Sequence, residues 1–123
     1  MNAKAWVIEP TKVDVRQAEA YGSITYVFDK GETRVSIWDV MFTDSVLDAL
    51  DAKGFNPVRD YIVVTGNMVT LTLAITAMVS TYGSIRALLY SATERAYVLR
   101  LLGETTYDRS RRRIVRTRST VSR

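Results

Sequence analysis

Neither cysteine nor histidine occurs anywhere in the 123 residues. Without cysteine there is no disulfide framework and no thiolate, and the two ligand types that zinc favours are both missing. The same absences exclude a Ser-His or Cys-His nucleophile pair. Lysine is sparse, confined to Lys4, Lys12, Lys30 and Lys53, and none stands beside grouped carboxylates as phosphodiester cleavage would ask. Glycine patterns of the Gly-x-Gly-x-x-Gly or Gly-Lys-Ser/Thr kind are absent, as are internal repeats.

Long apolar runs are lacking too. The most hydrophobic stretch, 61–79, is interrupted by Gly66-Asn67 and carries Thr65, Thr70, Thr72 and Thr76. A membrane span needs about 20 predominantly apolar residues, so the stretch reads as buried core. The first apolar run stops at Glu9, short of a secretory leader. The expected location is cytoplasmic or virion-internal, with no membrane partner.

What is present suits one globular domain: 47% hydrophobic and 24% charged residues, in a length that buries a core without staples. Charge is distributed unevenly. Residues 1–108 hold 10 Lys/Arg and 13 Asp/Glu, a net of −3, whereas 109–123 hold seven Arg and no acid, a net of +7. The division expected is a compact α/β domain over 1–108 and an Arg-rich arm over 109–123, flexible or ordered by a partner.

Along the domain, Lys4–Ile8 reads as a strand ended by Pro10. Val13–Tyr21 fits either a short helix stopped by Gly22 or an irregular connection. Ser23–Phe28 and Thr33–Trp38 are β-favouring runs separated by Asp29-Lys30-Gly31-Glu32, the pattern of a hairpin. Thr43 or Asp44 can cap a helix running to about Lys53, with Val46, Leu47 and Leu50 inward and Gly54 as its stop. Tyr61–Thr65 is a continuous apolar run, the mark of a buried central parallel strand. Met68–Tyr82 alternates like a strand near its start. Its length, its three- and four-residue recurrence and Gly83 favour a helix. Ile85–Tyr90 and Arg95–Leu102 close the domain as a second hairpin.

The predicted fold is therefore α/β, a mixed but mostly parallel sheet of about six strands with two or three helices, plus an extended basic arm. Strand-helix-strand units over about 34–65 and 60–90 predict parallel neighbours. The first and last strands would make the sheet mixed.

Four places could carry function. The turn Thr65-Gly66-Asn67 leads from a buried strand into a helix N-terminus, a possible anion-binding arrangement; its plainer reading is a tight turn with an Asn cap. Asp44, Asp48 and Asp51 recur at helical spacing opposite the apolar stripe, a solvated face or a possible docking face for a basic protein surface; Asp39 is expected at a strand end nearby. Tyr26, Tyr90 and Tyr97, with Arg86, Arg95 and Arg100 close in sequence, could form a base-stacking platform, or simply pack. The arm carries Arg109, Arg111, Arg112, Arg113, Arg116, Arg118 and Arg123, all guanidinium and hence suited to bidentate phosphate contact.

The reading is a non-enzymatic binding module with no cofactor and no metal. Its arm binds RNA or DNA backbone without sequence choice, as would suit a viral or plasmid accessory protein. The alternative is a homo-oligomeric assembly protein whose arm docks on the acidic face of a neighbouring subunit.

Overall fold

Burial on both faces explains why the run Ala5–Ile8 is apolar throughout. Ala5 and Val7 point to one side of the sheet, Trp6 and Ile8 to the other, and all four are buried. The computed structural model describes residues 2–103, 105–108 and 113–116, and builds around this strand a five-stranded sheet. Its strands are β1 (Lys4–Val7), β2 (Ser23–Tyr26), β3 (Tyr61–Val63), β4 (Ile85–Ser91) and β5 (Ala96–Leu102). A 3-10 helix (Arg16–Ala20) and two α-helices, α1 (Phe42–Ala52) and α2 (Met68–Tyr82), make the connections. The spatial order is β2-β1-β3-β4-β5. The first four strands in that order are parallel and β5 returns antiparallel to β4. The class is the expected one, α/β with a mostly parallel sheet.

The order fixes the layers. The chain steps from β1 outward to β2, then back past β1 to β3 and on to β4. Right-handed crossovers place connections made in opposite directions on opposite faces. Accordingly Trp6, Ile8, Ile62 and Ile85 meet Phe42, Val46 and Leu50 of α1 and Ala74 and Met78 of α2 on one face. Ala5, Val7, Val63, Leu88 and Tyr97 meet Val15 and Ala18, around the 3-10 helix, on the other.

Each α-helix follows its sequence. α1 buries Phe42, Val46 and Leu50, spaced one turn apart. α2 buries Thr70, Ala74, Ala77 and Met78, ends at Gly83 with φ 87° and is capped by Asn67. β3 lies at the centre of the sheet, as its apolar run implies, and β4 and β5 form the expected hairpin. The segment Val13–Tyr21, open between two readings, contains the short 3-10 helix.

Several expectations are corrected. The hairpin over 23–38 does not form, so the sheet has five strands and not six. β2 pairs in parallel with β1, and 33–38 is an irregular crossing in which Val35 and Ile37 pack against the helix-side core. Alternating burial in a tethered loop imitates a strand. The strand-helix-strand unit expected over 34–65 accordingly starts at β2, and its second strand lies beside β1 rather than beside β2. The unit over 60–90 forms as expected. The first strand does not make the sheet mixed; β5 alone does. Finally, α1 begins at Phe42 with no cap from its own first residues. Asp39, in a turn rather than at a strand end, accepts from the Met41 backbone N–H at 2.8 Å.

At the sheet's amino edge sits Asp60, 1% exposed. It accepts from the Lys4 backbone N–H, the Trp6 indole, the Asn56 backbone N–H and the Arg59 guanidinium. At the β5 border the ladder alternates. Leu88 directs its carbonyl to the N–H of Val64, just past the end of β3, so Ala87 and Leu89 face β5, and Tyr97, Leu99 and Leu101 turn their backbone outward. The Tyr97 carbonyl accepts from the Tyr21 hydroxyl at 2.9 Å, and the Leu99 carbonyl from the Arg100 guanidinium at 2.8 Å.

Beyond Gly103, β6 (Thr105–Asp108) pairs antiparallel with β7 (Arg113–Arg116) as a separate two-stranded sheet. No helix among the described residues is long and apolar enough to cross a membrane.

Candidate functional site

The carboxyl edge of the parallel strands gathers the connections after β1, β2 and β3. Between β1 and β3 the strand order reverses, the position where open α/β sheets form a crevice. Two shallow clefts border Val64 there. One, of about 370 Å³, is lined by Val13, Asp14, Gln17, Thr65, Tyr90 and Tyr97. The other, of about 430 Å³, runs along α2 past Gly66, Met68, Leu71, Thr72 and Ile75. In the first, Asp14 is held to about 2 by hydrogen bonds from Arg16, whose side chain clasps both of its oxygens.

Thr65, Gly66 and Asn67 make the turn at this edge, with Gly66 at φ 106°, a conformation that favours glycine. The Asn67 Oδ1 accepts from the Val69 and Thr70 backbone N–H groups at 2.9 and 3.1 Å. Those are the donors that an anion at this helix start would use, so an anion would have to share or displace the asparagine.

Asp44, Asp48 and Asp51 are all exposed on the outer side of α1. Among the described residues no three carboxylates converge as a ligand set for a metal ion. The turn ahead of α1 is tied on both sides. Arg34 pairs with Glu9 at 2.8 Å, Trp38 donates its backbone N–H to Ser36 Oγ at 3.1 Å, and Phe42 is buried. At α1's other end Lys53 donates to the Val27 carbonyl at 2.8 Å and pairs with Glu32.

The aromatic and basic residues do not assemble one platform. Tyr90 and Tyr97 are cross-strand partners in edge-to-face contact at 5.4 Å, but only Tyr90 is exposed. Burial pushes the Tyr97 hydroxyl's pKa up. Tyr26 lies three strands away from β4 on β2. Arg86 is engaged at the opposite edge, donating to the Val58 carbonyl and the Tyr61 hydroxyl and stacking over the Tyr61 ring at 4.2 Å. Arg95 sits in the β4–β5 turn with φ 55°. Arg100 alternates to the other face of the sheet from Tyr97.

Of the arm's arginines, Arg113 and Arg116 bracket β7, opposite Asp108 and Thr105 of β6. Arg109, Arg111, Arg112, Arg118 and Arg123 lie outside the described residues. In sequence, Arg109-Ser110-Arg111-Arg112 joins the two paired strands.

Sequence reading missed a further feature of the carboxyl edge. Val13, Trp38, Val40, Met41, Met68 and Val69 are all exposed in these connections, with Trp38 at 80% and Val40 at 88%. The signal was Trp38-Asp39-Val40-Met41, of which the strand reading over Thr33–Trp38 took the tryptophan and left Val40 and Met41 unassigned.

Compared with known proteins, residues 3–101 match the family described as Phage Pam3 gp32-like protein. No curated protein matches, and no solved structure does.

Proposed function

The chain belongs to the phage Pam3 gp32-like family, and on that premise we propose that it is a non-enzymatic phage protein whose C-terminal basic segment binds nucleic acid backbone. The observation that carries this reading is the placement of seven arginines and no acid in residues 109–123, two of them at the ends of one strand of an antiparallel ribbon. Guanidinium groups match phosphate geometry, and neutralising phosphates releases counterions, which supplies affinity without base readout. A two-stranded ribbon also has the width that a duplex major groove admits. Such a ribbon is marginal alone in water, and a bound polyanion would stabilise it.

The test is binding of a mixed-sequence duplex and a single strand by the full chain across a salt series. Affinity should fall on a log–log plot with a slope of about −0.9 for each phosphate neutralised on duplex DNA. Replacing Arg111, Arg112, Arg113, Arg116 and Arg118 by Ser should flatten that slope and weaken binding on every sequence alike. Binding that survives these replacements unchanged sinks the reading.

A further inference from the structure

Trp38, Val40 and Met41 are 80%, 88% and 53% exposed, yet the turn that carries them is held. Val35 and Ile37 anchor it to the core before the turn and Phe42 after it. Within it, Asp39 donates its backbone N–H to the Ser36 carbonyl at 2.9 Å, and its own carbonyl accepts from Phe42 at 3.0 Å. A rigid display of tryptophan and methionine in water is costly unless something covers it, and these residue types anchor protein interfaces. The apolar knob leads directly into α1, where Asp44, Asp48 and Asp51 are exposed.

Charge complementarity selects the occupant. Two copies of this face set together would oppose their carboxylates. The described C-terminal strand, Arg113-Ile114-Val115-Arg116, offers the complementary residue types, two cations and two β-branched apolar residues, which alternation divides so that either face would carry one of each. Its ribbon pairs with no further strand among the described residues, and an isolated ribbon needs cover to persist. We propose that the Trp38-Val40-Met41 knob, bordered by the α1 carboxylates, is the docking face for β7 of a second copy of this chain. The proposal does not rest on nucleic-acid binding and is tested without nucleic acid.

The experiment is light scattering of the full chain in nucleic-acid-free buffer over a concentration series, with tryptophan emission recorded in parallel. Trp6 is fully buried, so a change in emission reports Trp38. The expected result is a mass above the monomer at low salt with blue-shifted emission, both reversed by salt. Two surface variants then separate the partners: D44R/D48R reverses the charge bordering the face and keeps β7, while R113E/R116E reverses the charge of β7 and keeps the face. Each alone should be monomeric, and an equimolar mixture should associate, because the arm of the first meets the face of the second. V40S/M41S should also be monomeric. A monomer at every concentration, a mass indifferent to these changes, a mixture that stays monomeric, or a blue shift in a monomer would each overturn the proposal. The arm variant bears on both this proposal and nucleic-acid binding, whereas D44R/D48R bears on docking alone.

Discussion

The indole of Trp6 donates to Asp60 Oδ2 at 3.0 Å, joining the third residue of β1 to the last residue before β3. This bond crosses 54 positions of sequence, and both partners are buried. Three more groups donate to the same carboxylate, so one side chain holds the start of β1, the approach to β3 and the end of the α1 connection in register.

Removing that carboxylate should therefore be among the most damaging single changes. D60A leaves the Trp6 indole and the Lys4 and Asn56 N–H groups without their acceptor and Arg59 without its carboxylate partner. A loss of about 3 kcal/mol or more is expected in urea unfolding, since breaking a buried charge pair costs about that much. W6F, which keeps most of the ring packing but loses one donor, should cost less, about 1–2 kcal/mol.

Asp60 also sets an acid dependence. Burial alone would raise its pKa, but the Arg59 guanidinium and the N–H donors of Asn56, Lys4 and Trp6 outweigh it, taking it from 3.8 to about 2. A folded pKa below the unfolded one means that the charged form is favoured by folding. The stabilisation is complete well above pH 4, and it is lost as pH falls through about 4 to 2. A shift of this size is worth about 2 kcal/mol. Unfolding midpoints measured down that range should fall steeply for the native chain and more shallowly for D60N.

Asn67 supplies the cap for the helix with no charged residue, α2. N67A should cost about 1 kcal/mol, while N67D keeps an acceptor and should cost little. If the turn at Gly66 also held an anion, N67A would change phosphate affinity. Titration with inorganic phosphate followed by thermal melting reads both effects on the same sample.

Gly103, φ 91°, ends β5 against the end of α2. A Cβ there would run into the Gly83 carbonyl oxygen and come within 2.8 Å of a Val79 methyl. G103A should cost at least about 1 kcal/mol through backbone strain and crowding. G54A, at a similar φ of 84° but with open space around it, should cost less. The comparison in thermal unfolding separates crowding from conformation.

Much of the frame was legible because its signals are local. Asn67 and Gly83 bound α2, the Val46–Leu50 spacing marks α1, and Tyr61–Thr65 reads as central because burial on both faces leaves no polar alternation. The failures share a cause. Val35 and Ile37 alternate with Arg34 and Ser36 because a loop lies along the core, and one-sided burial has the same period whether or not the backbone is paired. Likewise β2 shows nothing to say that its partner is β1 rather than the nearer run. At the knob the apolar residues Trp38, Val40 and Met41 were plain in sequence, but their exposure was not, because exposure of an apolar residue is a tertiary property. The basic segment was the opposite case: its composition was plain, whereas its antiparallel pairing with Thr105–Asp108 was not.

The outward carbonyls of Tyr97 and Leu99 bear on how copies of this chain can meet. A bare border strand is a template onto which a neighbour can zip, copy after copy. Here a hydroxyl from the first crossover and a guanidinium from the strand itself already occupy those two acceptors. Strand addition at these two positions is thereby resisted, and any contact between copies along this side would have to be made more by side chains, whose pairing can saturate and stop.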